Sequence, residues 1–159
     1  MAKATEAARY PRADMSERTS SPAVPRRDAG GRVLRLTELS GVSLAYLVLN
    51  AVGLGLIDGL VVVLSDQKFG SSSGWLMVIL PGLLFFDDFR GWRAYRVRYL
   101  VAIVSALVAI GLGLVAAGLV SGLPPMASGG VGATVAVLTY APLWFLGIRW
   151  RTGDRPEAT

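Results

Sequence analysis

The feature that most limits what this chain can become is a set of four long apolar runs that share one charged residue. The runs are 39–64, 69–86, 99–123 and 130–148, and Asp58 is the one charge inside them. A helix needs roughly 20 apolar residues, with a range of about 17–25, to cross the hydrocarbon core of a bilayer. All four runs lie in or near that range, and 69–86 is the shortest. Backbone N–H and C=O groups in lipid must pair within their own segment, so the runs predict helices. Pro81 and Pro142 lie inside two of them and are expected to kink rather than end those helices. The expected fold class is therefore all-α: a polytopic integral membrane protein with four transmembrane helices. Composition agrees, since 53% of the chain is hydrophobic and 19 glycines come on top of that. A soluble domain has about 45–50% apolar residues with glycine included.

The cations predict how the helices are threaded. Residues 1–37 hold eight Lys and Arg, with Pro11, Pro22 and Pro25 and much Ser, Ala and Thr. Such a segment buries too little apolar surface to offset its chain entropy and reads as a disordered basic tail. Arg26-Arg27 does not read as an export signal, because the apolar run starts a dozen residues later and no small-residue cleavage site follows. With this tail placed in the cytoplasm, the inner segments 1–37, 87–98 and 149–159 hold fifteen Lys and Arg. The outer loops hold Lys68 alone. That asymmetry predicts both termini inside and a cytoplasmic, or cell, membrane location. Arg outnumbers Lys 14 to 2, which fits a bacterial source with a high-GC genome.

The inner loop, 87–98, contains Asp87, Asp88, Arg90, Trp92, Arg93, Arg96 and Arg98. Phe89, Trp92, Tyr95 and Tyr99 fall three or four apart, as on one face of a short helix lying at the headgroups. Arg90, Trp92, Arg93, Arg96, Arg98, Arg149, Trp150 and Arg151 are thus candidate headgroup contacts. Asp87 and Asp88 are expected to pair with Arg90 and Arg93. A magnesium–diphosphate site at the two aspartates would need further converging carboxylates, and Asp154 and Glu157 lie in the C-terminal tail. There is no Cys and no His, so thiolate and imidazole chemistry are excluded. No enzyme, catalytic residue, metal or cofactor is expected.

Two features inside the runs carry further expectations. Gly53–Ile57 matches Gly111–Val115, and both Pro81 and Pro142 precede bulky apolar residues and then an Arg–Trp–Arg cluster. Together these suggest a repeat of two helical hairpins. Ser105, Ala109, Gly113, Ala117 and Ser121 form a small-residue stripe, and Gly55 and Gly59 a shorter one. Such stripes allow close helix approach, within one chain or between copies.

Asp58 is the principal intramembrane polar candidate, followed by Asn50. A carboxylate there costs about 2.5–3.5 kcal/mol on insertion scales, so it marks either register-fixing glue or a cation or proton site. Thr134 and Ser121 are its expected partners, and Ser105, Thr139 and Tyr140 those of Asn50. In carrying one carboxylate in the first of four helices the chain resembles small multidrug exporters. It departs from them in its long basic tail and its one-sided charge. The functional expectation is a non-enzymatic interaction, accessory or scaffold protein. Its partners would be the lipid bilayer, anionic lipid headgroups, and a protein partner or a second copy; no nucleic acid is expected. A small proton- or cation-coupled transporter centred on Asp58 and a holin-like pore former are the alternatives.

Overall fold

The computed structural model describes residues 24–65 and 71–153. Among these the chain is all-helical. The elements are α1 (Leu36–Ser65), α2 (Ser71–Trp75), a 3-10 turn (Leu76–Val78), α3 (Ile79–Gly91), α4 (Val97–Leu119) and α5 (Pro125–Thr152). Three helices, covering 36–64, 97–119 and 125–152, are long and apolar enough to span a membrane, as befits a membrane protein. The region 69–86 differs from the single helix expected there. It is broken into α2, the 3-10 turn and α3, and α3 runs on past Asp88 to Gly91. Pro81 supplies the physical reason: it has no N–H to donate to the carbonyl of Met77, and the ladder tightens in the turn just before it. Pro142 sits mid-way along α5, which continues unbroken. The two proposed hairpins therefore differ in their second arms.

α5 is the centre of the fold. In its apolar window 44% of residues are buried, against 22% in α4 and 6% in α1, so α1 and α4 turn most of their apolar surface outward. α4 lies closest on α5, with backbone approaching backbone. A Cβ at Gly113 would stand 2.6 Å from the Gly132 carbonyl oxygen and 2.8 Å from the Trp75 ring. Ser105, Ala109 and Gly113 are buried along this seam, so the stripe on α4 serves packing within the chain. Gly55 and Gly59 have no neighbouring atoms in reach of an added Cβ. α3 meets α5 through large side chains instead, with Phe85 against Tyr140 (ring centroids 4.7 Å) and Phe89 against Trp144 (6.0 Å).

The apolar core is concentrated at the arginine-bearing end, around Val33, Leu39, Leu47, Phe85, Trp92, Trp144 and Ile148. Val33 belongs to the stretch expected to be a disordered tail. Residues 1–23 lie outside the described residues, but 25–34 fold into a tight turn with a bridge between Arg27 and Val33. Asp28 organises it. Its Oδ1 accepts from the backbone N–H groups of Gly30 (2.9 Å) and Arg32 (2.8 Å), and its Oδ2 from Arg32 Nε (2.6 Å). Desolvation pushes the Asp28 carboxyl up, but these Arg32 donors and the Gly30 N–H outweigh it and hold the group below its ordinary 3.8. The reversal is closed by Gly31 in the left-handed region (φ 81°). Gly31 packs on Gly91, where a Cβ would come within 2.9 Å of the Gly31 carbonyl.

Candidate functional site

The turn brings a polar cluster together at the basic end. Asp88, on the last turn of α3, is fully buried. Its Oδ1 accepts from the backbone N–H of Val33 and its Oδ2 from the Trp144 indole N–H, both at 2.7 Å. Arg27 Nη1 stands 3.9 Å from Oδ1 and donates to the Gly31 carbonyl at 2.8 Å. Arg149, in the last turn of α5, donates from Nη2 to the Val33 carbonyl. Both backbone polar groups of Val33 are thus held by side chains from two helices, α3 and α5. The Arg149 guanidinium also lies 3.5 Å from the Phe145 ring centroid and 5.3 Å from that of Trp92, and Arg32 lies 4.8 Å over the other part of this arrangement, the same Trp92 ring. Each carboxylate oxygen of Asp88 thus accepts a hydrogen bond from a buried donor.

This arrangement corrects three sequence-based expectations. Asp88 does not pair with Arg90 or Arg93. Instead it faces inward, because Pro81, Leu84, Phe85, Asp88 and Trp92 share one helical stripe, and the apolar members of that stripe are buried. That stripe is the sequence signal of its inward direction. Trp92 and Arg149, expected at the headgroups, are 1% and 7% exposed and belong to the core. Arg90, Arg93, Arg96, Trp150 and Arg151 are exposed, as is Asp87, while Arg98 is half-buried. Phe89, Trp92, Tyr95 and Tyr99 do not form one short surface helix, since α3 ends at Gly91 and α4 begins at Val97.

The intramembrane candidates lie elsewhere and apart from one another in role. Asn50 donates from Nδ2 to the Leu76 carbonyl at 2.9 Å. It thereby ties α1 to the 3-10 turn before Pro81, and Ser105, Thr139 and Tyr140 are not its partners. Asp58 lines a cavity of about 630 Å³ with Ala51, Met77, Met126, Gly130 and Thr134. Its Oδ1 is buried and accepts no hydrogen bond. Thr134 borders the same cavity, but its hydroxyl donates to the Gly130 carbonyl at 2.8 Å. Ser121 is exposed in the turn after α4. Among the described residues no three or more His, Cys, Asp or Glu converge as they would to hold a metal ion.

No protein-family model, no curated protein and no solved structure matches the chain.

Proposed function

We propose that the chain is a four-pass protein of a bacterial cytoplasmic membrane, with both termini inside, that acts without catalysis as an interaction or accessory subunit. The observation that carries this reading is the basic cap. The turn at 25–34 is folded across the ends of α3 and α5, and Arg26, Arg90, Arg93, Arg96 and Arg151 are exposed around it. Among the described residues the opposite end has no Lys or Arg. A rigid cationic surface beside a membrane suits anionic headgroups and an acidic partner docked over them. Residues 71–91 would make the fourth crossing as a broken helix, since their 21 positions reach about 30 Å at 1.5 Å per residue. The absence of native cysteine makes the threading directly measurable. In spheroplasts, Ser121→Cys should react with an impermeant maleimide and Ala94→Cys only after permeabilisation; the reverse pattern overturns the orientation. A photocrosslinking residue at the exposed Tyr95 should give a discrete adduct that Arg93→Gln with Arg96→Gln abolishes. No adduct in native membranes would end the accessory reading.

A second reading, cation or proton transfer through Asp58, is favoured by one observation: a buried carboxylate oxygen without a donor, facing a cavity. Intramembrane carboxylates of this kind are functional candidates. A hydrophobic carbodiimide should then label Asp58 with a pH dependence and be blocked by a competing cation. No labelling at any pH, with Asp58→Asn folded, would leave Asp58 a structural group.

A further inference from the structure

A second cavity lies apart from Asp58. It is a furrow of about 780 Å³ between α3 and α4, floored by α5. We propose that this furrow binds one acyl chain of an anionic phospholipid, with the headgroup seated at Arg98. The furrow exists because α3 is held off α5 by aromatic side chains, while α4 approaches α5 closely through Gly113 and Gly132. Its wall is apolar, with Phe85, Phe86 and Phe89 on one side and Ala106, Ile110 and Leu114 on the other.

Charge selects the occupant. The lining runs from Trp75 and Val78 to Phe89 on one wall and from Leu114 to Ala106 on the antiparallel α4, about 21 Å along the longer wall at 1.5 Å per residue. That exceeds the roughly 15 Å depth of one leaflet, so an acyl chain entering at the basic end stays in the furrow through its whole leaflet. Two of the phenylalanines that line it carry guanidinium groups at the basic end. Arg98 lies 4.3 Å over the Phe89 ring and Arg90 lies 4.6 Å over the Phe86 ring. Arg98 is fixed there by donating to the Phe89 carbonyl (3.1 Å) and the Tyr99 hydroxyl (3.0 Å), and its Nε is buried without a partner. A greasy slot with guanidinium groups stacked on two of its phenylalanines at the basic end complements an anionic amphiphile. A neutral lipid leaves that charge unanswered, and a second apolar helix does the same.

The inference rests on the helices lying in a bilayer but not on the cap meeting a partner, so the photocrosslinking result does not prejudge it. The test reconstitutes the full chain in phosphatidylcholine bilayers doped with phosphatidylglycerol or phosphatidylcholine spin-labelled near the acyl terminus. The motionally restricted component should favour phosphatidylglycerol by about fivefold, as one nearby arginine supplies. Arg98→Gln should lower that preference by more than Arg93→Gln on the exposed cap does, and Arg98→Lys should keep most of it; equal loss at the two positions overturns the proposal. Ala106→Phe, which fills the furrow, should shrink the restricted component for both lipids, with circular dichroism unchanged. Equal restriction of the two lipids by the unsubstituted protein overturns the proposal. So does an Ala106→Phe protein that restricts lipid as before. Quantitative disulfide dimerisation of Ala106→Cys would place a second copy in the furrow and overturn it as well.

Discussion

Asp88 occupies the last turn of α3, where a carboxylate meets the negative end of the helix dipole. Burial there is costly, and the cost is offset by specific donors: the Val33 N–H, the Trp144 indole and the flank of Arg27. Removing the acceptor leaves two buried donors without partners, a penalty of about 1–3 kcal/mol for each. Asp88→Ala is therefore expected to lower unfolding stability in mild detergent by at least that amount, and to expose the Arg32–Val33 bond to trypsin. Asp88→Asn should remain destabilised, because its amide turns a donor toward one of the two N–H groups. The neighbouring Asp87 is exposed, and Asp87→Ala should stay within about 0.5 kcal/mol of the unsubstituted protein. An Asp87→Ala protein as unstable as Asp88→Ala would refute this assignment. Adjacent residues on a helix point about 100° apart, which is why two identical neighbours carry such different roles.

At the scale of elements, the α4–α5 seam and the outward face of α4 impose opposite demands on glycine. A Cβ at Gly113 meets the Gly132 carbonyl, which belongs to the backbone and cannot swing aside, whereas at Gly111 it meets nothing within 4 Å. Gly113→Ala is expected to pry the helices apart at a cost of about 1–3 kcal/mol, the usual range for overpacking. Gly111→Ala should be neutral or stabilising by up to about 1 kcal/mol, from helix propensity alone. Both are read by thermal unfolding of the detergent-solubilised chain, and equal effects at the two positions would contradict the seam. Asn50 plays the complementary part on α1. Its bond to the Leu76 carbonyl fixes α1 against the 3-10 turn, where the helical ladder has tightened, so an intramembrane polar residue here serves element registration.

At the scale of the whole molecule, the helical class and the extents of three spans were legible in the sequence. Apolar length, and the cost of unpaired backbone in lipid, dictate them locally. The observed helices exceed the runs at both ends, 39–64 by three residues and one, 130–148 by five and four, since helices do not stop where hydropathy does. The break before Pro81 was half legible: the proline announces a disturbance, but not the bond that Asn50, 26 residues away, donates to the Leu76 carbonyl at the start of the 3-10 turn. The polar cluster at the basic end was the least legible part. Val33 reads as one apolar residue in a basic tail, and Arg149 as one more cation closing a span. Only the fold, by setting the turn across two helix ends, brings them together. That crossing has a consequence for how the protein is made. The residue that is clamped emerges from the ribosome first, yet one jaw of its clamp follows 55 residues later and the other 116 residues later. At 5–20 residues per second the wait is on the order of ten seconds. Throughout it, the first helix has entered the membrane with its entry segment undocked. The final helix is thus the step that locks the earliest one, and a chain stalled before α5 would be left with its front end open to proteases that the finished molecule resists.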